Sequence, residues 1–195
     1  MSVLEVNKLT PLASNGTVTM GDSGDTISIP SGVTIANAGT ATGFGGAFES
    51  QLLHIRDEKS SGTGGGSSSA GSWQTRTLNT VKTNEIANAS LSSNRVSLPS
   101  GTYYIMAKAN IFDADRHKIK LRNITDSSDE LIGSSEYAED AYNGTTNSYI
   151  HGRFTISGTK VFEIQHRNEV SGSFGIASSF GVVEVFADVQ IWKVA

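Results

Sequence analysis

Two groups of carboxylates are the first residues in this chain that could do chemistry. Asp113 stands with Asp115, and Glu136 with Glu139 and Asp140. Paired carboxylates at a set separation cleave glycosidic bonds. Oxygen ligands of the Asp113/Asp115 kind also suit calcium. Both groups fall in polar stretches where solvated turn acids are the plain reading, and neither has the dense Asp/Asn/Gly loop of a dedicated calcium site. The four histidines, His54, His117, His151 and His166, do not show the His-x-x-x-His spacing of a zinc helix. There is no Gly-x-Ser-x-Gly elbow to hold a nucleophilic serine. Cysteine is absent, which removes disulfides and thiolate zinc sites. The glycine-rich run over 60–72 lacks the Gly-Lys-Ser/Thr ending of a phosphate loop. No catalytic residue, cofactor or metal ligand set is therefore assigned, and the chain is expected not to be an enzyme.

Binding offers more than catalysis does. A longer polar segment over 133–147, read as a loop, carries Tyr137, Tyr142 and Asn143. Aromatic rings stack on sugars and an amide hydrogen-bonds hydroxyls, so these three are the candidate receptor-binding residues. Simple exposed tyrosines are the alternative. The net charge of −4 gives no basic excess to hold a phosphate backbone, so nucleic acid is not an expected partner. The apolar runs are too short to cross a bilayer as helices. The N-terminus lacks a basic segment followed by an apolar one, and assembly in a cytoplasm is the expectation.

These residues must be positioned by strands. Gly is frequent at 21, Pro is rare at 3, and only 17% of residues are charged. Such a composition fits many short strands joined by tight turns. The densest β-signal is the last run, 180–194. Val183, Val185, Ala187, Val189 and Ile191 fall on one face at period two; Glu184, Phe186, Asp188, Gln190 and Trp192 fall on the other. Large aromatics among the polar positions predict that this second face is also covered, by another sheet or another subunit. Further strands are predicted at 73–78, 95–99, 101–112, 117–125, 148–156 and 160–166, and at 47–59, where the period also fits a short helix and a strand is favoured. In 101–112, Tyr103, Ile105, Ala107, Ala109 and Ile111 share a face. In 117–125, Ile119 and Leu121 point in while Lys118, Lys120 and Arg122 point out. The Gly/Ser run over 60–72 has the composition of a flexible linker and reads as a surface loop between strands. About eight to ten strands at this spacing make a sandwich or jelly roll.

The first 46 residues differ from the rest. Val18/Met20, Ile27/Ile29 and Val33/Ile35 sit two apart, punctuated by Gly, Asn, Asp or Pro. Large side chains are too few for a core of their own. Copies wrapped about a common axis would share one, so 1–46 is read as a short β-rich stalk or anchoring segment and 47–195 as the head; a flexible tail is the alternative for 1–46.

Several runs of the head carry a resemblance: Leu98-Pro-Ser-Gly-Thr-Tyr-Tyr-Ile105, His117-Lys-Ile-Lys-Leu-Arg-Asn123, Gly152-Arg-Phe-Thr-Ile156, Phe162-Glu-Ile-Gln-His166 and Glu184-Val-Phe-Ala-Asp-Val-Gln-Ile-Trp-Lys193. Together they resemble the globular head shared by tumour-necrosis-factor-like and complement-like proteins, in the form carried by fibres and other appendages of tailed bacteriophages. Val6-Asn-Lys-Leu-Thr10 and the run from Gly24 to Ile35 are similar to short fibre-base segments of marine phage proteins. The resemblance implies an all-β ten-strand jelly roll and a parallel homotrimer. Tyr103, Phe186 and Trp192 are the expected trimer-interface residues. It also implies a virion location, with the N-terminal segment contacting other virion structural proteins and the head adhering to a bacterial surface glycan or protein. A capsid decoration protein, head fibre or tail connector with a purely structural role is the alternative.

Overall fold

The computed structural model describes residues 51–194, together with Thr19, Thr26, Ser28, Ser31 and Gly32. The chain divides into two units, Met1–Gly45 and Gly46–Ala195. The expected stalk over 1–46 lies, those five residues apart, outside the described residues.

The head is built of strands, with no helix among the described residues. In chain order they are β1 (Gln51–Lys59), β2 (Ser67–Ser68), β3 (Gln74–Thr75), β4 (Thr80–Asn84), β5 (Ser90–Ser92), β6 (Arg95–Leu98) and β7 (Gly101–Phe112). Then come β8 (Asp115–Asn123), β9 (Ser128–Ala138), β10 (Thr145–Ile156), β11 (Lys160–Asn168), β12 (Gly172–Ser173) and β13 (Glu184–Lys193). Two antiparallel sheets face each other. One runs β2-β12-β7-β13-β1-β4 with β10 also on β7; the other runs β5-β6-β11-β8-β9 with β3 also on β11. Of the consecutive strands only β5 with β6 and β8 with β9 pair directly, and most chain neighbours fall in opposite sheets. This is the crossing pattern of a jelly roll, and it covers an apolar face that a single sheet would leave wet.

Period-two alternation fills the space between the sheets. Ile105, Ala107, Ala109, Ile150, Val189 and Ile191 come from the first sheet, and Val96, Leu98, Ile119, Leu121, Phe162 and Ile164 from the second; all are buried. Tyr103 stacks on Phe154 with ring centroids 5.5 Å apart, and Phe154 meets Phe162 at 5.4 Å. The Tyr103 hydroxyl donates to the Pro99 carbonyl at 2.7 Å, so the ring is buried without stranding its polar end.

Three expectations need correction. First, period two fails within the last strand. Asp57 of β1 faces Ala187 while Glu58 faces Val185, which leaves Phe186 as the extra residue of a β-bulge. Parity inverts there. Phe186 turns inward and is 3% exposed, while Val183 and Val185 turn out at 55% and 37%. Second, the 60–72 run is no loose linker. Ser67 and Ser68 form β2 against β12, Gly65 N–H donates to the Gly175 carbonyl at 2.9 Å, and a Cβ on Gly65 would lie 2.5 Å from the Phe174 carbonyl oxygen. The glycines allow two backbones to touch, which is the opposite of slack. Third, the polar stretch over 133–147 is mostly strand. β9 continues to Ala138, opposite Asp115, and β10 begins at Thr145. Only 139–144 is loop.

Candidate functional site

The outward face of the seven-stranded sheet keeps several large apolar side chains partly exposed. Register fixes its composition. Strands β10, β7, β13 and β1 place Arg153, Tyr104, Trp192 and Leu52 in one row. The next row is His151, Met106, Gln190 and His54, and the third is Tyr149, Lys108, Asp188 and Arg56. Tyr104, Met106 and Tyr149 are each about two-fifths exposed. Trp192 is partly covered by Tyr104, with centroids 6.2 Å apart. Tyr149 meets His151 edge-on at the same separation. A shallow groove of about 320 Å³ runs among Met106, Lys108, Tyr149, His151, Asp188 and Gln190.

Charge on this face is organised around one carboxylate. Asp188 accepts from Arg56 Nε at 2.6 Å and lies 3.1 Å from His54 Nε2. Partial burial opposes its ionisation, but the hydrogen bonds and charges of His54 and Arg56 outweigh it and hold the carboxyl below the usual range. The face therefore combines an aromatic row, a half-apolar middle row and a compensated polar row. It offers no nucleophile and base in mutual reach.

The sequence-predicted site residues separate. Trp192 lies on this face. Tyr103 and Phe186 do not: both are buried inside their own chain, at 0% and 3% exposure, and have no surface left for a partner. The bulge explains Phe186, and the inward parity of β7 explains Tyr103. Tyr142 and Asn143 sit in the 139–144 loop, Tyr142 being 83% exposed and Asn143 holding a left-handed φ of 57°. Tyr137 is instead a strand residue of β9, opposite Arg116. Desolvation, with Asp115 as hydrogen-bond partner and neighbouring charge, raises its phenol to about 12. The first acid group serves the loop. Asp115 Oδ1 accepts the Asp140 N–H at 3.2 Å, and the Asp113 N–H donates to the Gly144 carbonyl at 3.0 Å.

A buried polar network was not anticipated. Arg76 is fully buried between the sheets. It donates to the carbonyls of Asn110 at 3.0 Å, Phe174 at 3.3 Å and Phe186 at 2.9 Å, and its guanidinium carbon lies 4.1 Å from the Phe174 ring centroid. Burial lowers its pKa to about 9, against the opposing charge of Asp57. Burial also raises the Asp57 carboxyl, against Lys59 and Arg76. Next to this arginine, His117 Nδ1 and His166 Nε2 are 2.9 Å apart, and His117 Nε2 is 2.7 Å from Thr146 Oγ1. His166 Nδ1 has no partner. A buried donor without a partner costs more than an acceptor. This assigns His166 the Nε2–H tautomer, donating to His117, and His117 the Nε2–H tautomer, donating to Thr146. Burial depresses both, His117 to about 4 and His166 to about 2, with Arg76 adding to each. The signal was in the sequence: His117 has the parity of Ile119 and Leu121, and His166 that of Ile164.

No family model matches the chain, and no curated protein does. Solved structures do. The globular domain of zebrafish complement 1qA protein is 11% identical over 75% of this chain and 98% of that one, with a TM-score of 0.50. Murine APRIL at pH 5.0 is 8% identical over 74% and 99%, with a TM-score of 0.48. At these identities the likeness concerns the fold. The likeness to the complement 1qA globular domain bears out the all-β jelly-roll head.

Proposed function

We propose that the chain is a structural, non-enzymatic protein of a bacteriophage virion, a homotrimeric fibre or appendage whose head adheres to the host surface. The observation that carries this reading is the outward face of the seven-stranded sheet. Tyr104, Met106 and Tyr149 lie together there on rigid strands with Trp192, the first three each about two-fifths exposed. Aromatic and methionine side chains of this kind are enriched where protein surfaces meet. Fully burying a large apolar side chain contributes about 1.5–3 kcal/mol, so each half-exposed one still offers roughly 1 kcal/mol per subunit. The likeness to phage appendage heads supports the trimer, and the fold supports a binding or structural role rather than a catalytic one. Weak contacts at three equivalent loops would add through avidity.

Native mass spectrometry of the full chain tests the assembly. A trimer is expected, and Tyr104→Lys with Met106→Lys should release folded monomers. A monomeric parent chain would refute the trimer. Cryo-electron microscopy of virions tests the location. Density on tail-attached fibres supports adhesion, density on the capsid lattice supports decoration, and absence from virions removes both.

A further inference from the structure

Two cations face each other on the outward side of the six-stranded sheet with no carboxylate between them. Lys118 of β8 is the cross-strand partner of Arg167 of β11. Like charges directly opposite in an antiparallel ladder repel. Elsewhere on these strands cations are answered: Arg116 by Glu169, Lys120 and Arg122 by Asp129, and Arg95 by Glu163. Among the described residues Lys118 and Arg167 form no ion pair. A local conflict kept in an otherwise consistent face marks a place where something other than folding is served.

An aromatic platform stands beside the pair. Gln74 of β3 lies opposite His166, so the preceding residue, Trp73, arrives level with Arg167. Lys120 Nζ lies 4.2 Å from the Trp73 ring centroid and braces one face of the indole. The tryptophan stays partly exposed. Between these groups opens a cleft of about 480 Å³, lined by Trp73, Arg116, Lys118, Ser135, Arg167 and Glu169 among others. That volume suits a small ligand or one or two sugar rings. With Glu136 also at its wall, the cleft holds three cations against two carboxylates, in a chain whose net charge is −4. A dense polyanion such as nucleic acid would meet Glu136, Glu169 and the chain's overall negative charge. A ligand with a carboxylate set among hydroxyls can place the carboxylate against the cations and turn its hydroxyls to Glu136 and Glu169.

We propose that this cleft binds an acidic saccharide, with a uronate-type carboxylate between Lys118 and Arg167 and the sugar ring against the exposed face of Trp73. The guanidinium offers a planar fork for the carboxylate and the ammonium a mobile point charge. The Ser135 hydroxyl is placed to exchange hydrogen bonds with ring hydroxyls. The inference rests on the adhesion reading and names a ligand class for it. The assembly face lies on the other sheet, so the cleft does not compete with the trimer for surface.

Isothermal titration of the full chain with tetragalacturonate, maltotetraose and inorganic phosphate tests the site. Tetragalacturonate alone should bind, with quenching of tryptophan fluorescence and weakening in added salt. Lys118→Gln, Arg167→Gln and Trp73→Leu should each lower its affinity about tenfold or more, and Arg167→Lys, which keeps the charge but loses the planar fork, should fall between Arg167→Gln and the parent. Melting temperatures report that the variants are folded. The site is refuted if tetragalacturonate does not bind, if maltotetraose or phosphate binds as tightly, or if folded variants bind like the parent. Adhesion is read separately, from attachment of the labelled full chain to the bacteria that its virions infect. Attachment unchanged in Arg167→Gln would remove the cleft and leave adhesion standing; no attachment by the parent would remove adhesion.

Discussion

Acid should unfold the head through its two buried histidines before carboxylates take over. His117 and His166 are neutral in the folded chain, at about 4 and about 2, and return to about 6.5 when unfolded. Both shifts are downward, so the unfolded state binds more protons at any pH below about 6.5. Stability is unaffected above that value and falls as the pH drops towards the folded pKa of His117. Fully expressed, each group contributes about 1.4 kcal/mol per pH unit, so the pair lowers stability by roughly 2–3 kcal/mol per unit between about pH 6 and pH 5. A domain of ordinary stability, about 5–15 kcal/mol, would lose a large share of it within two units. Urea unfolding of the full chain at pH 7.5, 6.5, 5.5 and 5.0, at fixed protein concentration, measures the slope. His166→Phe supplies the control. It removes one titrating group, so the slope should halve to about 1.4 kcal/mol per unit, whatever constant offset the substitution adds. Equal slopes in parent and variant would refute the buried neutral pair. So would a histidine resonance from either residue titrating near 6.5 in the folded protein.

Other perturbations separate the parts of the structure. Arg76→Met should cost about 3 kcal/mol or more in urea unfolding, because three buried carbonyls lose their donor. Tyr103→Phe removes only the bond to the Pro99 carbonyl and should cost about 1 kcal/mol with the trimer intact in native mass spectrometry, since the ring serves the chain's own core. Gly65→Ala should destabilise by more than the usual gain from replacing glycine, as its Cβ would meet the Phe174 backbone, and hydrogen exchange should quicken in both β2 and β12.

Much of the head was legible because alternation and burial coincide. Strand β7 needed nothing beyond its own sequence: Tyr103, Ile105, Ala107, Ala109 and Ile111 are buried as period two requires. The same logic read β8, β10 and β11, with errors of a few residues at their ends. It failed where the backbone departs from the period. No residue type at 184–188 announces the bulge, because the extra residue is demanded by the register between β1 and β13 and not by either strand alone. Composition failed in a different way at 60–72. Glycine and serine make flexible linkers when nothing lies beside them, but here the missing side chains admit the backbone of 172–175.

The two aromatics misassigned to the interface and the basic pair overlooked in the cleft have one cause. A side chain's role depends on what stands across the ladder, and a single strand does not contain that information. Phe186 belongs to the core because Glu58 faces Val185 in its place, which leaves Phe186 as the extra, inward-turned residue of the bulge. Lys118 looked like an ordinary solvated lysine on an outward face, in line with Lys120 and Arg122. Only the register with β11 separates the three. It sets Arg167 against Lys118 and Gln165 against Lys120, while Asp129 answers Lys120 and Arg122. Assembly and ligand readings of this chain therefore rest on pairing. The rows Arg153–Tyr104–Trp192–Leu52 on one sheet and Ser135–Lys118–Arg167 on the other are each contributed by strands far apart in sequence. A jelly roll can thus carry one aromatic and one cationic surface without either being visible as a motif.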